Sequence, residues 1–397
     1  MSRPLVSIAI PTYNRSAWLR TALASAQAQT YEPLEIVVSD NASVDGTAEM
    51  VREMARADDR IRLFVNETNI GGLNYLQALK RCRGDYVKFL NDDDLLLPGA
   101  VERLAAPLDD PAVGLSIARQ DWMNEQGRLL ALAELKPDFK WWMDFSYLGN
   151  ESRLVPGFEL GDYCMIHTIN AFGCPSAHLF RRADLDPATS GMVGGRRYSS
   201  AGDVAYCLQL AADRKVAYVA EKTVVLRMHD GQESANPTVQ AVTALEWLDL
   251  IQHTRDLGFL ADDKDRVKAL RKVAFLLANQ LELGATDEMA RRVAEGLGVA
   301  ATALRELGRP TLPVQSRGGK LVATPDWTSP RPLLDLVESW ARNAHTMPED
   351  ELVLEVDANM FALDRVVNQV QHVLDELGLD PETVPDITIE PISPSVV

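Results

Sequence analysis

Four short β-branched runs, Leu5–Ile10, Leu34–Val38, Ile61–Val65 and Asp85–Leu90, alternate with four segments of helical period, Ser16–Ala28, Val44–Ala57, Gly72–Cys82 and Pro98–Leu108. The last of these starts on proline, where a missing N–H costs nothing. Strands separated by whole helices cannot pair as hairpins. They run parallel, with helices packed over both faces of one sheet. In an open sheet of that kind ligands gather beyond the carboxyl ends of the strands. The residues that follow each strand are therefore where chemistry is expected.

Beyond residue 108 the pattern loosens. Val113–Ala118 and Leu129–Ala133 read as strands about a turn at Asn124–Gly127, and the aromatic-rich, aperiodic stretch Lys136–Gly161 reads as a long loop over the site. Asp203–Asp213 reads as a helix, Val216–Arg227 as a long strand and Val239–Leu307 as three helices. Arg309–Pro330, with four prolines and a glycine pair, has the composition of a linker. A helix near Pro332–Asn343, a strand at Leu352–Val356 and a helix near Leu363–Leu377 follow. The expected division is a catalytic domain over 1–235 (halves 1–108 and 109–235), a helical extension over 236–308, a linker over 309–330 and a small acidic α/β appendage over 331–397.

A chain of 397 residues exceeds one compact domain, which agrees with a core plus an appendage. The net charge of −17 argues against a nucleic-acid binder, because phosphate contacts need clustered Lys and Arg. Residues 331–397 hold three basic and fourteen acidic residues, a net −11 that leaves −6 for the first 330. This acidic tail is the place to expect a protein partner or a second copy of the chain. Cys82, Cys164, Cys174 and Cys207 have no CxxC or zinc-type spacing and fit buried thiols in a reducing cytoplasm. No apolar run approaches the roughly 20 residues a membrane helix needs, and Met1–Ile10 has the pattern of a strand and not of a secretory signal.

Three polar segments fall at the carboxyl edge of the expected sheet. Pro11-Thr12-Tyr13-Asn14-Arg15 follows the first strand, Ser39-Asp40-Asn41-Ala42-Ser43-Val44-Asp45-Gly46-Thr47 the second, and Asn91-Asp92-Asp93-Asp94 the fourth. Asp92 and Asp94, two apart in extended chain, present both carboxylates to one side. No glycine-rich Walker loop is present to meet a phosphate, so a hard divalent cation, Mg²⁺ or Mn²⁺, is the natural counter-charge for any phosphate bound at this edge. A carboxylate at Asp40 can accept from the N3–H of uracil or thymine, or it can cap the following helix as Ser43 and Asp45 can. Arg15 either approaches a diphosphate or sits on the first helical turn.

Together with Asn69-Ile70-Gly71-Gly72, these ordered segments closely resemble the family 2 glycosyltransferases of the GT-A fold over roughly the first 230 residues. The resemblance implies a mixed, mostly parallel sheet flanked by helices, and inverting transfer of a sugar from a nucleotide-sugar donor. It places Pro11, Thr12, Tyr13, Asn14, Arg15, Asp40, Asn69, Gly71, Asp92 and Asp93 at the donor, with Asp92 on the ribose and Asp94 on Mn²⁺ or Mg²⁺. His229, in Arg227-Met228-His229, would complete the metal shell, or it is simply packed. Asp203, in Ser200-Ala201-Gly202-Asp203, stands where the family puts its general base; Gly202 replaces the usual glutamate, and the alternative is an N-cap. Phe172-Gly173-Cys174-Pro175-Ser176-Ala177 resembles the acceptor-side segment, which makes Pro175 and Ser176 acceptor candidates with Asp121, Trp122, Trp141 and Trp142. The two adjacent tryptophans can stack on a sugar face or anchor their loop.

The expected function is transfer from a UDP-sugar, with a dTDP-sugar as second choice, to an acceptor no motif identifies. A sugar nucleotidyltransferase would need an N-terminal glycine-rich, Arg-containing triphosphate loop, which Pro11-Thr12-Tyr13-Asn14-Arg15 is not. A non-catalytic sugar-nucleotide-binding protein would have no use for both the Asp92/Asp94 pair and Asp203.

Overall fold

The computed structural model of the chain describes residues 3–135, 147–229, 231–232, 236–282 and 287–307, with shorter stretches at 314–317, 320–323, 325, 327, 333, 337, 352–357, 361–376 and 387–392. The chain divides into two compact units, Met1–Asp262 and Asp263–Val397.

In the first unit β1 (Val6–Thr12), β2 (Leu34–Asp40), β3 (Ile61–Val65) and β4 (Tyr86–Phe89) lie parallel in the order β3-β2-β1-β4. Every residue of β1 and β2 is buried, as expected of central strands covered on both faces. The covering helices are α1 (Ser16–Gln27), α2 (Thr47–Ala57) and α3 (Asn74–Arg81). Leu19, Ala22, Leu23 and Ala26 give α1 its buried stripe at spacings of three and four, and they pack with Ile8, Ile10 and Ile36 in the main core. β1 and β2 run two residues further than their apolar runs, so that Thr12 and Asp40 stand opposite each other in register at the carboxyl edge.

The second half completes a mixed sheet. After β5 (Leu95–Leu96) and α4 (Ala100–Ala105) come β6 (Val113–Met123), β7 (Leu129–Leu130), β8 (Arg153–Pro156), α5 (Gly157–His167), β9 (His178–Arg181), β10 (Met192–Val193), β11 (Arg196–Arg197), α6 (Gly202–Ala211), β12 (Lys215–Arg227) and α7 (Pro237–His253). β9 pairs antiparallel with both β4 and β6, β12 pairs parallel with β6, and β5 closes the order β3-β2-β1-β4-β9-β6-β12-β5. Two glycines let α6 press close. A Cβ on Gly114 of β6 would lie 1.9 Å from the Leu210 carbonyl oxygen, and one on Gly157 would lie 2.0 Å from that of Ala211.

Three expectations are corrected here. The stretch Lys136–Gly161 is not loop to its end, since β8 and the start of α5 occupy 153–161; residues 136–146 lie outside the described residues. The first half of the middle region is one long strand to Met123, not a strand ending at Ala118. The boundary at 235 also moves, because α7 belongs to the first unit.

The second unit contains α8 (Asp263–Glu282), α9 (Asp287–Glu306), β13 (Val314–Arg317), β14 (Lys320–Ala323), β15 (Leu352–Asp357), α10 (Leu363–Glu376) and β16 (Ile387–Ile392). The four strands form a sheet in sequence order, with β13 antiparallel to β14 and the remaining pairs parallel. Leu352, Leu354 and Val356 pack with Val366, Val370 and Trp327 in a core of their own. The segment 309–330 is therefore not a linker throughout: β13 and β14 lie within it and pair antiparallel, Arg317 opposite Lys320. Of the helix expected near Pro332–Asn343, Leu333 and Val337 are described, as buried helical residues.

Candidate functional site

The site is built at the carboxyl ends of β1, β2 and β4. Arg15, opening the first turn of α1, reaches across to the acidic turn and donates from Nη1 to Asp92 Oδ1 at 3.1 Å and Asp93 Oδ2 at 2.7 Å. The Tyr13 N–H points at Asp92 Oδ2, 3.4 Å away, and the Tyr13 ring is left exposed at 42%. Asn14, with φ at 50°, accepts from the Val44 N–H and donates its own N–H to Ser43 Oγ, each at 2.8 Å. The loops after β1 and β2 are thus tied together. Asn is among the residues that accept a left-handed backbone at low cost, which explains its place there.

Asp40 is fully buried. Its Oδ1 accepts from the N–H and hydroxyl of Ser43, while Oδ2 has no partner among the described residues. A buried carboxylate oxygen without a donor is costly unless something arrives to satisfy it. Asn69 works inward instead: its Oδ1 accepts from Asn41 Nδ2 at 2.7 Å and from the Gly71 N–H at 2.8 Å, so Asn69 and Gly71 shape the rim next to Asp40.

The three aspartates have separate surroundings. Asp92 is buried, and burial together with neighbouring Asp93 pushes its pKa up to about 6 against the pull of Arg15. Asp93 faces Arg15 and His229, whose Nε2 lies 3.1 Å from Asp93 Oδ2. Asp94 turns the other way. Its Oδ1 takes the Arg227 N–H at 3.1 Å, its Oδ2 takes the Ser176 hydroxyl at 2.6 Å, and burial raises its pKa. Both oxygens of Asp94 are engaged in fastening β12 and the turn before β9 to the acidic turn. The carboxylate beside His229 is Asp93, while both oxygens of Asp94, the residue expected on the metal, are taken by hydrogen bonds within the protein. Asp93 and His229 suit a cation that accepts both carboxylate oxygen and imidazole nitrogen. Protein would supply two ligands there, leaving room for phosphate oxygens.

His229 packs against Trp18 on α1, the two rings tilted by 38° with centroids 4.4 Å apart. The guanidinium groups of Arg15 and Arg227 lie over the same indole at 5.6 and 5.9 Å. Trp18 was not among the expected residues, although its place three after Arg15, one helical turn on, puts it on the same face. Lys88 was also missed. It is fully buried in β4, donates from Nζ to the carbonyls of Phe89 at 2.9 Å and of Ser176, and burial brings its pKa down to about 7. A lysine inside an otherwise apolar strand was the available signal.

On the acceptor side the expected residues divide. Ser176 is buried and joined to Asp94 and the Asn91 N–H, so it fastens the acidic turn. Pro175 opens the short turn Pro175–Ala177 that carries it. Asp121 is paired with Lys222, both oxygens 2.8 Å from Nζ, and Trp122 packs against Cys174, Ala177, Val224 and Leu226. Trp141 and Trp142 lie outside the described residues. Asp203, the second residue of α6, is partly buried; Asn170 Nδ2 donates to its Oδ2 at 3.0 Å, and desolvation pushes its pKa up to about 6. The N-cap position of that helix is Ala201, but Asp203 Oδ1 accepts from the Val204 N–H at 2.8 Å, so the carboxylate also satisfies one of the helix's first N–H groups.

Residues 7–186 match the family described as Glycosyl transferase family 2. An uncharacterized protein of Mycobacterium tuberculosis is 30% identical over 188 residues, 46% of this chain and 54% of its own length. A GalNAc(5)-diNAcBac-PP-undecaprenol beta-1,3-glucosyltransferase of Campylobacter jejuni is 41% identical over 103 residues, 25% of this chain and 33% of its own. The chain thus spans about half or less of the length of these curated relatives. Among solved structures, S. aureus TarS 1-349 in complex with UDP-GlcNAc aligns with a TM-score of 0.56 at 16% identity, over 96% of this chain and 93% of that one, which is a likeness of fold. The motifs in order, the mixed sheet beneath them and the match over residues 7–186 all liken this part of the chain to glycosyl transferase family 2.

Proposed function

We propose that the chain is an inverting glycosyltransferase that moves a sugar from a UDP-sugar to an acceptor hydroxyl, in the cytoplasm, where its four unpaired buried cysteines would stay reduced. The observation that carries the donor reading is the unpartnered, buried Oδ2 of Asp40 at the rim formed by Pro11–Arg15, Asn69 and Gly71. Uracil offers an N3–H to such an oxygen, as thymine does, and adenine has no donor at the equivalent edge. That TarS was solved with UDP-GlcNAc and shares the fold supports the same choice.

Asp93 and His229 would hold Mn²⁺ or Mg²⁺, which when bound neutralises charge on the leaving diphosphate. Arg15, already bonded to Asp92 and Asp93, can turn its guanidinium to the same phosphates. Asp203 takes the proton of the acceptor oxygen as that oxygen attacks the anomeric carbon, and the sugar leaves its diphosphate with inversion. A carboxyl whose pKa is near 6 is mostly ionised at neutral pH yet more basic than an ordinary aspartate, which suits a base.

The test is a donor screen. UDP-, dTDP- and GDP-sugars are offered with Mn²⁺, following the melting temperature and the release of nucleoside diphosphate. UDP-sugars should stabilise the protein and be slowly hydrolysed; equal response to GDP-sugars, or none to UDP-sugars, overturns the reading.

A further inference from the structure

The segment leading into α6, which like α6 itself lies beyond the family-matched stretch, is held by α7. Glu246 on α7 accepts from the backbone N–H of Ser199 and of Ser200, each at 2.8 Å, from that of Ala201 at 2.7 Å, and from the Ser199 hydroxyl at 2.7 Å. One carboxylate therefore takes three consecutive N–H groups directly before the helix on which Asp203 is the second residue. Two more α7 residues extend the grip: Thr243 Oγ1 meets Ser200 Oγ, and Asp249 accepts from the Tyr198 hydroxyl at 2.6 Å and pairs with Arg196. Ala201, the N-cap of α6, has no side chain that could do this, so the order of the approach to Asp203 depends on α7.

We propose that Glu246 is a positioning residue for Asp203, fixing the segment from which the carboxylate projects and holding a negative charge near it. This rests on Asp203 being the base. The groups facing Asp203 are Cys164 from α5, Tyr206 and Cys207 from α6 itself, the neutral amide of Asn170, and Glu246 from α7. Burial keeps both thiols and the phenol protonated, which leaves Glu246 as the charged neighbour among the described residues. Its charge works in the same direction as desolvation, toward a more basic carboxylate.

Two variants of the full chain separate the two parts of the role. Glu246→Gln keeps the size and removes the charge, with one of the two accepting oxygens kept and the other replaced by a donating NH2; Glu246→Ala removes the whole grip. The Asp203 carboxyl is titrated by ¹³C NMR, its signal identified by its loss in Asp203→Asn, and amide exchange is followed over residues 196–206. In Glu246→Gln the Asp203 midpoint should move to lower pH. In Glu246→Ala exchange at Ser199–Ala201 should quicken by roughly tenfold or more, with protection elsewhere and the melting shift on adding UDP unchanged. An unmoved midpoint in the Gln variant, or unmoved local exchange in the Ala variant, overturns the proposal. Should Glu246→Ala not fold, the titration of Glu246→Gln decides alone. Release of UDP from UDP-GlcNAc at the wild-type rate by Asp203→Asn would instead overturn the base reading and leave both Glu246 results standing.

Discussion

At the scale of single residues, Asp203 carries the sharpest expectations. Asn is nearly isosteric but cannot take a proton, so Asp203→Asn should slow transfer by roughly 10²–10⁴-fold while UDP binding is kept. In the wild type the rate should climb as pH rises through about 6, because the base is active only when ionised. The same shift has a stability consequence. Folding raises the Asp203 pKa from 3.8 to about 6, so its contribution is full below the ordinary value and gone above the raised one. Asn has no proton to lose. The melting temperature of Asp203→Asn should therefore gain on that of the wild type between pH 4 and pH 7. A constant difference across that range would mean that the carboxyl is not desolvated. Asp40→Ala should weaken UDP binding by about 1–3 kcal/mol, the scale of a hydrogen bond to a charged group, in a protein that still melts cooperatively. Asp93→Ala should abolish the Mn²⁺-dependent part of UDP binding in a folded protein. Asp94→Ala, by contrast, leaves the Ser176 hydroxyl and the Arg227 N–H without an acceptor and should lower the melting temperature first. If the two variants behaved alike, the division of roles between adjacent aspartates would fail.

At the scale of elements, α6 is set by its neighbours as much as by its own sequence. Gly114→Ala would drive a methyl into the Leu210 carbonyl at the end of α6, and since a backbone oxygen cannot swing aside, a loss of about 1–3 kcal/mol in urea unfolding is expected. An unchanged midpoint would show that α6 can slide. The early elements were legible because β1, β2 and α1 combine strong periods with apolar side chains. α5 was not. Its buried face, Gly157, Leu160, Gly161, Cys164 and Met165, has helical spacing but is spelled largely in glycine and cysteine, which carry little apolar signal. The pair β13 and β14 was hidden by composition: a segment rich in proline and glycine reads as a linker even where it contains strands. At the site, order of motifs was enough to gather Arg15, Asp40 and the acidic turn on one edge. It could not foresee that Asp93 faces His229 while Asp94 turns away, since a strand-end turn frees the chain from strict alternation and the direction of Asp94 depends on Ser176 and Arg227, distant in sequence.

At the scale of the whole molecule, the residues proposed for the donor and Asp203 all precede residue 230, yet the segment that presents Asp203 is gripped by α7, and the first compact unit closes only at Asp262. The expected division at 235 would cut between Asp203 and that grip. A chain ending at Gln232 should still bind UDP, through Asp40 and the loop after β1, but release UDP from UDP-GlcNAc far more slowly than the full chain. A chain ending at Asp262 keeps Thr243, Glu246 and Asp249 and should match the full chain in UDP affinity and in the rate of UDP release, although it lacks residues 331–397 and their net charge of −11. Affinity is read by titration calorimetry and folding by a cooperative melt, so that misfolding is not mistaken for a missing contact. Restored release on adding back 236–262 would assign α7 to the catalytic unit. Loss of UDP binding in a cooperatively melting 1–262 chain would place part of the donor site in the second unit, and equal release by the chains ending at 232 and 262 would leave α7 without a part in catalysis.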